Sequence, residues 1–164
     1  MKNTKQLFLT GLFALVITSL AAQDAKEVAA IKAVIEKESL SFSQLNKKDW
    51  ENTWAQVPYA YWSYSDSTGT SFIEGWEGIK KSFEEYFRTS VSSRQIDVSH
   101  QSTDVKIERK WLSFRIYGNG AYVRYNQKVN DNIDHDETSQ VRIMEKKDGK
   151  WRVVCVGAIA VYPK

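Results

Sequence analysis

The chain has 164 residues, one cysteine, a hydrophobic fraction of 42% and a formal net charge of +3. A single cysteine excludes an intramolecular disulfide, so a buried core must carry the stability of the fold. Basic runs and basic-aromatic stripes are absent from the sequence, so we expect no nucleic-acid partner.

The first 22 residues have the pattern of a secretory signal peptide. Lys2 and Lys5 precede the apolar run Leu7–Leu20, and the small residues of Ala21–Gln23 fit a cleavage site. The apolar run is short for a transmembrane span. We therefore expect an exported bacterial protein, periplasmic or secreted, with one domain over residues 23–164 and no membrane contact after cleavage.

Three helices are predicted in the first half of the chain. Asp24 begins a long amphipathic helix that ends near Asn46, and Asp49 is the expected cap of a second helix that ends before Pro58. The third helix has an apolar side every three or four residues from Trp76 to Phe87.

The second half of the chain has the alternating pattern of strands. An aromatic strand, Tyr59–Ser65, comes first, and Lys147–Lys150 contains the Asp-Gly pair of a tight hairpin turn. This hairpin is apolar on both faces, so it is expected in the middle of a curved sheet. The other predicted strands are Ile96–Ile107, Trp111–Tyr117, Ala121–Val129, Ser139–Lys146 and Lys150–Tyr162. Helices before a meander of strands predict an α+β fold.

Four short motifs in this order resemble the nuclear transport factor 2-like superfamily, and within it the branch of ketosteroid isomerases and SnoaL-like cyclases. The motifs are NKKDW (Asn46–Trp50), EGWEGI (Glu74–Ile79), YGNGAYV (Tyr117–Val123) and KDGKWRVV (Lys147–Val154). The resemblance implies a cone-shaped cystatin-like roll, in which three helices pack on the concave side of a strongly curved antiparallel sheet. It also implies a homodimer formed through the outer face of the sheet.

The catalytic residues of the isomerase branch are only partly matched. Asp66 occupies the position of the general base, but Ser41 and Val141 stand where that branch has its tyrosine and acidic oxyanion donors. Without these donors, the site lacks the stabilisation of a developing oxyanion, which is usually the largest contribution to catalysis. Asp66 also starts Asp-Ser-Thr-Gly, an ordinary turn sequence in which a carboxylate binds nearby amides. The turn is the favoured interpretation.

Aromatic residues crowd the segment between Trp50 and Trp76, which lines the mouth of the cone in similar proteins. An aromatic concavity with a few polar groups suits a flat apolar ligand or a sugar ring. On the last strand, Cys155 and Gly157 are expected to face the pocket. On earlier strands, Arg124 and Arg142 are expected to point outward, whereas an arginine that pointed inward would favour an anionic ligand. The candidate ligand-binding residues are Trp50, Trp54, Tyr61, Tyr64, Trp76, Tyr117 and Cys155.

No metal or cofactor site is predicted. His100 and His135 lie in polar surroundings, and the acidic loop around Asp131 and Asp136 lacks the glycine and spacing of a calcium-binding loop. Cys155 has no histidine near it in sequence and fits a small buried hydrophobic residue better than a nucleophile.

The sequence therefore favours an exported, non-catalytic domain that binds a small organic molecule. One alternative is an isomerase, cyclase or dehydratase with Asp66 as general base. Another is a protein-docking module that uses the outer face of the sheet.

Overall fold

The computed structural model describes the backbone of residues 4–96, 105–130 and 135–162 and the side chains of residues 24–90, 105–130 and 137–162. It divides into two units, Met1–Ala33 and Val34–Lys164. The elements in chain order are α1 (Thr4–Ser43), α2 (Lys47–Glu51), β1 (Tyr61–Asp66), β2 (Gly69–Glu74), α3 (Trp76–Ile96), β3 (Lys106–Tyr117), β4 (Gly120–Asn130), β5 (His135–Lys147) and β6 (Lys150–Ala160).

Residues 4–33 of α1 belong to the first unit, and residues 34–43 belong to the second. The signal-peptide prediction falls on residues whose side chains lie outside the described part, so it stays a prediction. Where side chains are described, no helix has both the length and the apolar character needed to cross a membrane.

The second unit has the predicted α+β architecture, with its helices in the N-terminal half and a curved, unclosed six-stranded sheet. The strand order is β2-β1-β6-β5-β4-β3. The hairpin of β5 and β6 lies in the middle of this sheet, as its two apolar faces predicted. Its turn has positive φ at Asp148 and Gly149, which glycine adopts without strain.

The sheet is not antiparallel throughout, because β1 pairs with β6 in parallel. β1 forms a hairpin with β2, an edge strand that the sequence pattern did not predict. In β2 only Ile73 is half-buried and the other residues are exposed, so the strand has no alternating apolar signal.

The opposite edge of the sheet also differs from the prediction. β3 is one strand from Lys106 to Tyr117 with a bulge at Leu112, rather than two strands. The residues Glu108–Lys110 between the two predicted strands are charged but pair with β4, and charges are common on edge strands. Ile96 is the last residue of α3, and residues 97–104 of the predicted strand Ile96–Ile107 lie outside the described part.

The connection between α1 and α2 is built by capping interactions. Leu45 has a φ of 58°, and the amide of Asn46 donates to the Ser41 carbonyl at 2.8 Å, which ends α1 in a Schellman motif. Asn46, rather than the predicted Asp49, caps α2, because its Oδ1 accepts from the Asp49 amide at 3.1 Å.

The aromatic segment after α2 belongs to the core of the second unit. The helix ends at Glu51 rather than before Pro58, and Trp54 forms a parallel bridge with Val153 of β6. The rings of Trp50, Trp54 and Trp76 lie with their centroids 5.7 to 6.1 Å apart. This cluster joins the helices to the sheet, and all three side chains are buried.

Candidate functional site

A cavity of about 300 Å³ lies between the helices and the concave face of the sheet in the second unit. It has an aromatic wall and a polar wall, with aliphatic residues of the sheet between them. The aromatic wall consists of Phe42, Trp50, Trp62, Tyr64, Phe83 and Tyr86. The polar wall consists of Glu38, Ser39, Gln127, Thr138, Gln140 and Arg142.

The aromatic wall is held together by ring contacts between α1, α2, α3 and β1. Phe42 stacks on Tyr86 at 5.0 Å between centroids, while Trp62 and Phe83 form a T-shaped contact with centroids 5.2 Å apart. Trp50 lies 5.0 Å from Phe83 and continues this wall into the tryptophan cluster of the core. Trp50 and Phe83 therefore serve two purposes, since they belong to the buried core and also border the cavity.

The polar wall centres on a buried ion pair between α1 and β5. Arg142 Nη2 lies 3.2 Å from Glu38 Oε2, and the two side chains are 4% and 8% exposed. Arg142 Nη1 donates to Gln140 Oε1 at 2.6 Å, and Gln140 Nε2 donates to Thr138 Oγ1 at 2.6 Å. Ser39 Oγ donates to the same Glu38 oxygen at 3.2 Å. Buried charges need such partners because isolated ions lose their hydration.

A second guanidinium group lies near this wall. Arg142 and Arg109 are placed over the ring of Tyr125, with their Cζ atoms 5.6 and 5.9 Å from its centroid. Burial lowers the pKa of Arg109 and raises the pKa of the Tyr125 hydroxyl. Burial also lowers the pKa of Arg142, but its interactions with Tyr125 and Glu38 outweigh burial, so the pKa of Arg142 is raised overall.

The expectation that Arg142 points outward is wrong. It shares the concave face with Val123, its partner in β4, whereas Arg124 is exposed on the other face as expected. A signal for this was present in β5, where Thr138, Gln140 and Arg142 alternate. Polar residues at every second position of a central strand share one face, which indicates a polar cavity.

Of the predicted ligand-binding residues, Trp50 and Tyr64 line the cavity. Trp54 and Trp76 lie behind Trp50 in the core. The ring of Tyr61 stacks on that of Phe72 with centroids 6.3 Å apart. Tyr61 pairs with Cys155 of β6, so Tyr61 lies on the outer face of the sheet. Tyr117 is 70% exposed at the turn between β3 and β4.

Cys155 does not line the cavity, so its predicted orientation is wrong. Ile143 pairs with Cys155 but Met144 pairs with Val153, which leaves Val154 as the extra residue of a bulge. The bulge reverses the alternation, so Val156 and Ala158 line the cavity in place of Cys155 and Gly157. Burial raises the pKa of the Cys155 thiol, which disfavours the reactive thiolate.

Asp66 lies in the turn between β1 and β2, outside the cavity. Its Oδ1 accepts hydrogen bonds from the Thr68 hydroxyl at 2.6 Å, the Thr68 amide at 2.8 Å and the Gly69 amide at 3.2 Å. The bond from the Thr68 hydroxyl, followed by those from the amides, lowers the pKa of Asp66. This is the turn arrangement favoured from the sequence, and it is opposite to the raised pKa of a typical general base.

The structure describes only some of the remaining candidate positions. His100 and residues 131–134 lie outside the described part, as do the side chains of His135 and Asp136. Glu137 forms an ion pair with Lys128 at 2.9 Å. Within the described side chains, no group of three or more histidine, cysteine or acidic residues could hold a metal ion.

The comparisons with known proteins define the fold. No family model and no curated protein matches the chain. Among solved structures, a proposed dehydratase of the nuclear transport factor 2-like family from Streptomyces avermitilis is 7% identical with a TM-score of 0.64, over 85% of this chain and 99% of its own. The chain thus has the nuclear transport factor 2-like fold that the four motifs indicated.

Two further structures agree. A nuclear transport factor 2-like protein of unknown function from Shewanella baltica is 18% identical with a TM-score of 0.56, over 85% of this chain and 97% of its own. A protein of unknown function with a cystatin-like fold from Nostoc punctiforme is 13% identical with a TM-score of 0.54, over 84% of this chain and 92% of its own.

Proposed function

We propose that this protein binds a small organic molecule in the cavity between its helices and its sheet, without catalysing a reaction. The observation that carries the proposal is the pairing of an aromatic wall with a hydrogen-bonded polar wall around about 300 Å³. Ligand sites of this kind combine apolar surface for affinity with a few placed polar groups for orientation.

The position of Asp66 supports binding over acid–base catalysis. Its Oδ1 accepts the hydrogen bonds of the turn and the residue does not line the cavity, whereas the alternative enzyme hypothesis needs the carboxylate beside a bound substrate. The proposed dehydratase from Streptomyces avermitilis has the same fold, but a fold hosts many functions and its activity does not carry over at 7% identity.

The proposal is tested by filling the cavity. Ala158 lines it and is 7% exposed, whereas Ile159 follows on the opposite face of the same strand and is 58% exposed. Purified protein is screened by thermal shift and calorimetry against aromatic, steroid-like and sugar compounds. We expect Ala158→Phe to abolish the stabilisation by every compound that binds, and Ile159→Phe to preserve it.

A second cavity-filling variant, Val129→Trp, covers the case in which Ala158→Phe does not fold. Val129 lines the cavity and is only half-buried, so a larger side chain there disturbs the core less. Equal binding by wild type and Val129→Trp would overturn the proposal, as would the absence of any binding compound.

Export is the second part of the proposal, and the pattern of residues 1–22 supports it. Intact-mass measurement on protein from the periplasm or medium of a bacterial host should give a chain that begins at Ala22 or Gln23. An uncleaved chain confined to the cytoplasm would overturn it.

We also propose a homodimer, with the outer face of the sheet as its interface. Ile143 and Ile159 expose apolar side chains on this face at 37% and 58%. Light scattering on Ile143→Arg should then give a monomer where the wild type gives a dimer. A wild-type monomer at all concentrations would contradict this interface.

A further inference from the structure

Resting on the proposed function, we infer that the ligand is an uncharged molecule that donates a hydrogen bond, from a hydroxyl or N–H group, to the carboxylate of Glu38. The inference depends on how the hydrogen-bonding capacity of the polar wall is already used.

The charges of the wall cancel. Among the described residues that line the cavity, Glu38 and Arg142 are the charged ones, and their nearest charged atoms are 3.2 Å apart. A charged ligand beside this pair meets one group of opposite sign and one of like sign at similar distances. Entering the cavity would also remove the hydration of the ligand charge, and each of these two lining charges is already paired with the other. Arg109, whose guanidinium lies over the Tyr125 ring, is not among the lining residues.

Three of the five N–H donors of Arg142 are already in use. Its Nη1 group donates to Gln140 Oε1 at 2.6 Å and to the Val141 carbonyl at 3.2 Å, while Nη2 donates to Glu38. Its Nε is buried without a partner among the described atoms. Bidentate binding of a carboxylate needs two parallel N–H groups. Nε–H and the second N–H of Nη2 are left to meet an acceptor on the ligand. An anion placed there would lie close to the carboxylate of Glu38 and would be repelled by it.

The wall does have free acceptors. Both hydrogen bonds that the carboxylate of Glu38 accepts, from Arg142 and from Ser39, fall on Oε2. Within the described residues this leaves Oε1 as an acceptor on a side chain that lines the cavity. Gln127 lines it too, is 8% exposed, and has an Oε1 with no partner in the described part. Buried acceptors of this kind are matched by a donor on the ligand.

A cation fits less well than a neutral donor. An ammonium group bound to Glu38 would lie close to the guanidinium of Arg142, which already compensates the carboxylate. A hydroxyl or amide N–H donates the same hydrogen bond without this repulsion. The rings of Trp62, Phe83 and Tyr86 then receive the apolar body of the ligand, and about 300 Å³ suits one or two rings.

The test uses four probes that share one phenyl ring and differ in the head group. They are 2-phenylethanol, its methyl ether, phenylacetate and 2-phenylethylammonium, and their dissociation constants are measured by calorimetry at pH 7. We expect the alcohol to bind at least about tenfold more tightly than each of the other three, because a hydrogen bond to a charged group discriminates by that order.

The double variant Glu38→Leu/Arg142→Met supplies the control. It removes both charges together, so a buried ion is not left unpaired. In this variant the alcohol and its ether should bind equally well. An alcohol preference that persists in the double variant would overturn the inference.

The two proposals fail in distinguishable ways. Tighter binding of phenylacetate or of the ammonium probe, or equal binding of all four, would overturn the inference and leave the cavity as a ligand site. If neither the probes nor the wider compound set binds, the proposed function fails and the inference fails with it.

Discussion

The two walls of the cavity obtain their stability in different ways. The aromatic wall is a set of overlapping ring contacts in which Phe42 and Phe83 each touch several neighbours. The polar wall is a chain of single hydrogen bonds from Thr138 through Gln140 and Arg142 to Glu38. Apolar contacts are non-directional and tolerate partial loss, whereas each group of a buried polar chain depends on its partner.

The largest expected effect comes from breaking the polar wall at one point. Glu38→Leu leaves the buried guanidinium of Arg142 without its carboxylate. We expect this variant to lose about 3–5 kcal/mol of unfolding free energy, measured by urea denaturation, because an uncompensated buried charge is strongly destabilising.

The double variant Glu38→Leu/Arg142→Met sharpens this result. Replacing both ions with apolar residues of similar volume should restore stability to within about 1 kcal/mol of the wild type. If the single and double variants were equally unstable, the lost stability would come from packing rather than from an unpaired charge. Both walls would then be stabilised mainly by packing.

The aromatic wall should respond according to burial alone. Phe83 is 8% exposed and touches the rings of Phe42, Trp50 and Trp62, whereas Tyr86 is 42% exposed. We expect Phe83→Ala to cost about 3 kcal/mol and Tyr86→Ala about 1 kcal/mol, because the cost follows the contacts and cavity created. A larger loss of unfolding free energy in Tyr86→Ala than in Phe83→Ala would contradict the expectation that burial sets the cost.

The smallest effect is expected at Asp66, a carboxylate that belongs to neither wall. Its pKa is lowered in the folded state, so its contribution to stability is present above its unfolded pKa of about 3.9 and is lost as pH falls through the folded value. Asp66→Asn should therefore be slightly less stable than the wild type at pH 7, and this difference should shrink towards pH 3.

Ligand binding by Asp66→Asn should equal that of the wild type, since the residue does not line the cavity. Thermal melts across this pH range, with calorimetry at pH 7, check both statements. Loss of ligand binding in Asp66→Asn would instead support the hypothesis that Asp66 is a general base beside the ligand.

The candidate site was only partly predictable. Trp50 and Tyr64 were identified because aromatic residues concentrate in their segment and local composition is visible in a sequence. Glu38 and Arg142 were not identified, because they are 104 residues apart and either could have been a solvated surface charge. Their pairing depends on α1 and β5 lying close together in the fold, which no local pattern encodes.

The sequence by itself determined the elements whose signals are local. The Asp148–Gly149 turn specifies its hairpin through backbone conformation, and the apolar spacing of α3 specifies which side is buried. The order of helices before strands was sufficient for the α+β class and for the resemblance to the nuclear transport factor 2-like superfamily.

Only the tertiary structure decided which side chains reach the cavity. The bulge at Val154 reverses the two-residue alternation, so Ala158 faces the cavity while Cys155 faces away from it. One extra residue exchanges the two faces of a strand, and its position is chosen by pairing with β5 rather than by the composition of β6. The ion pair of Glu38 and Arg142 has the same origin, because it forms only after distant elements have packed together.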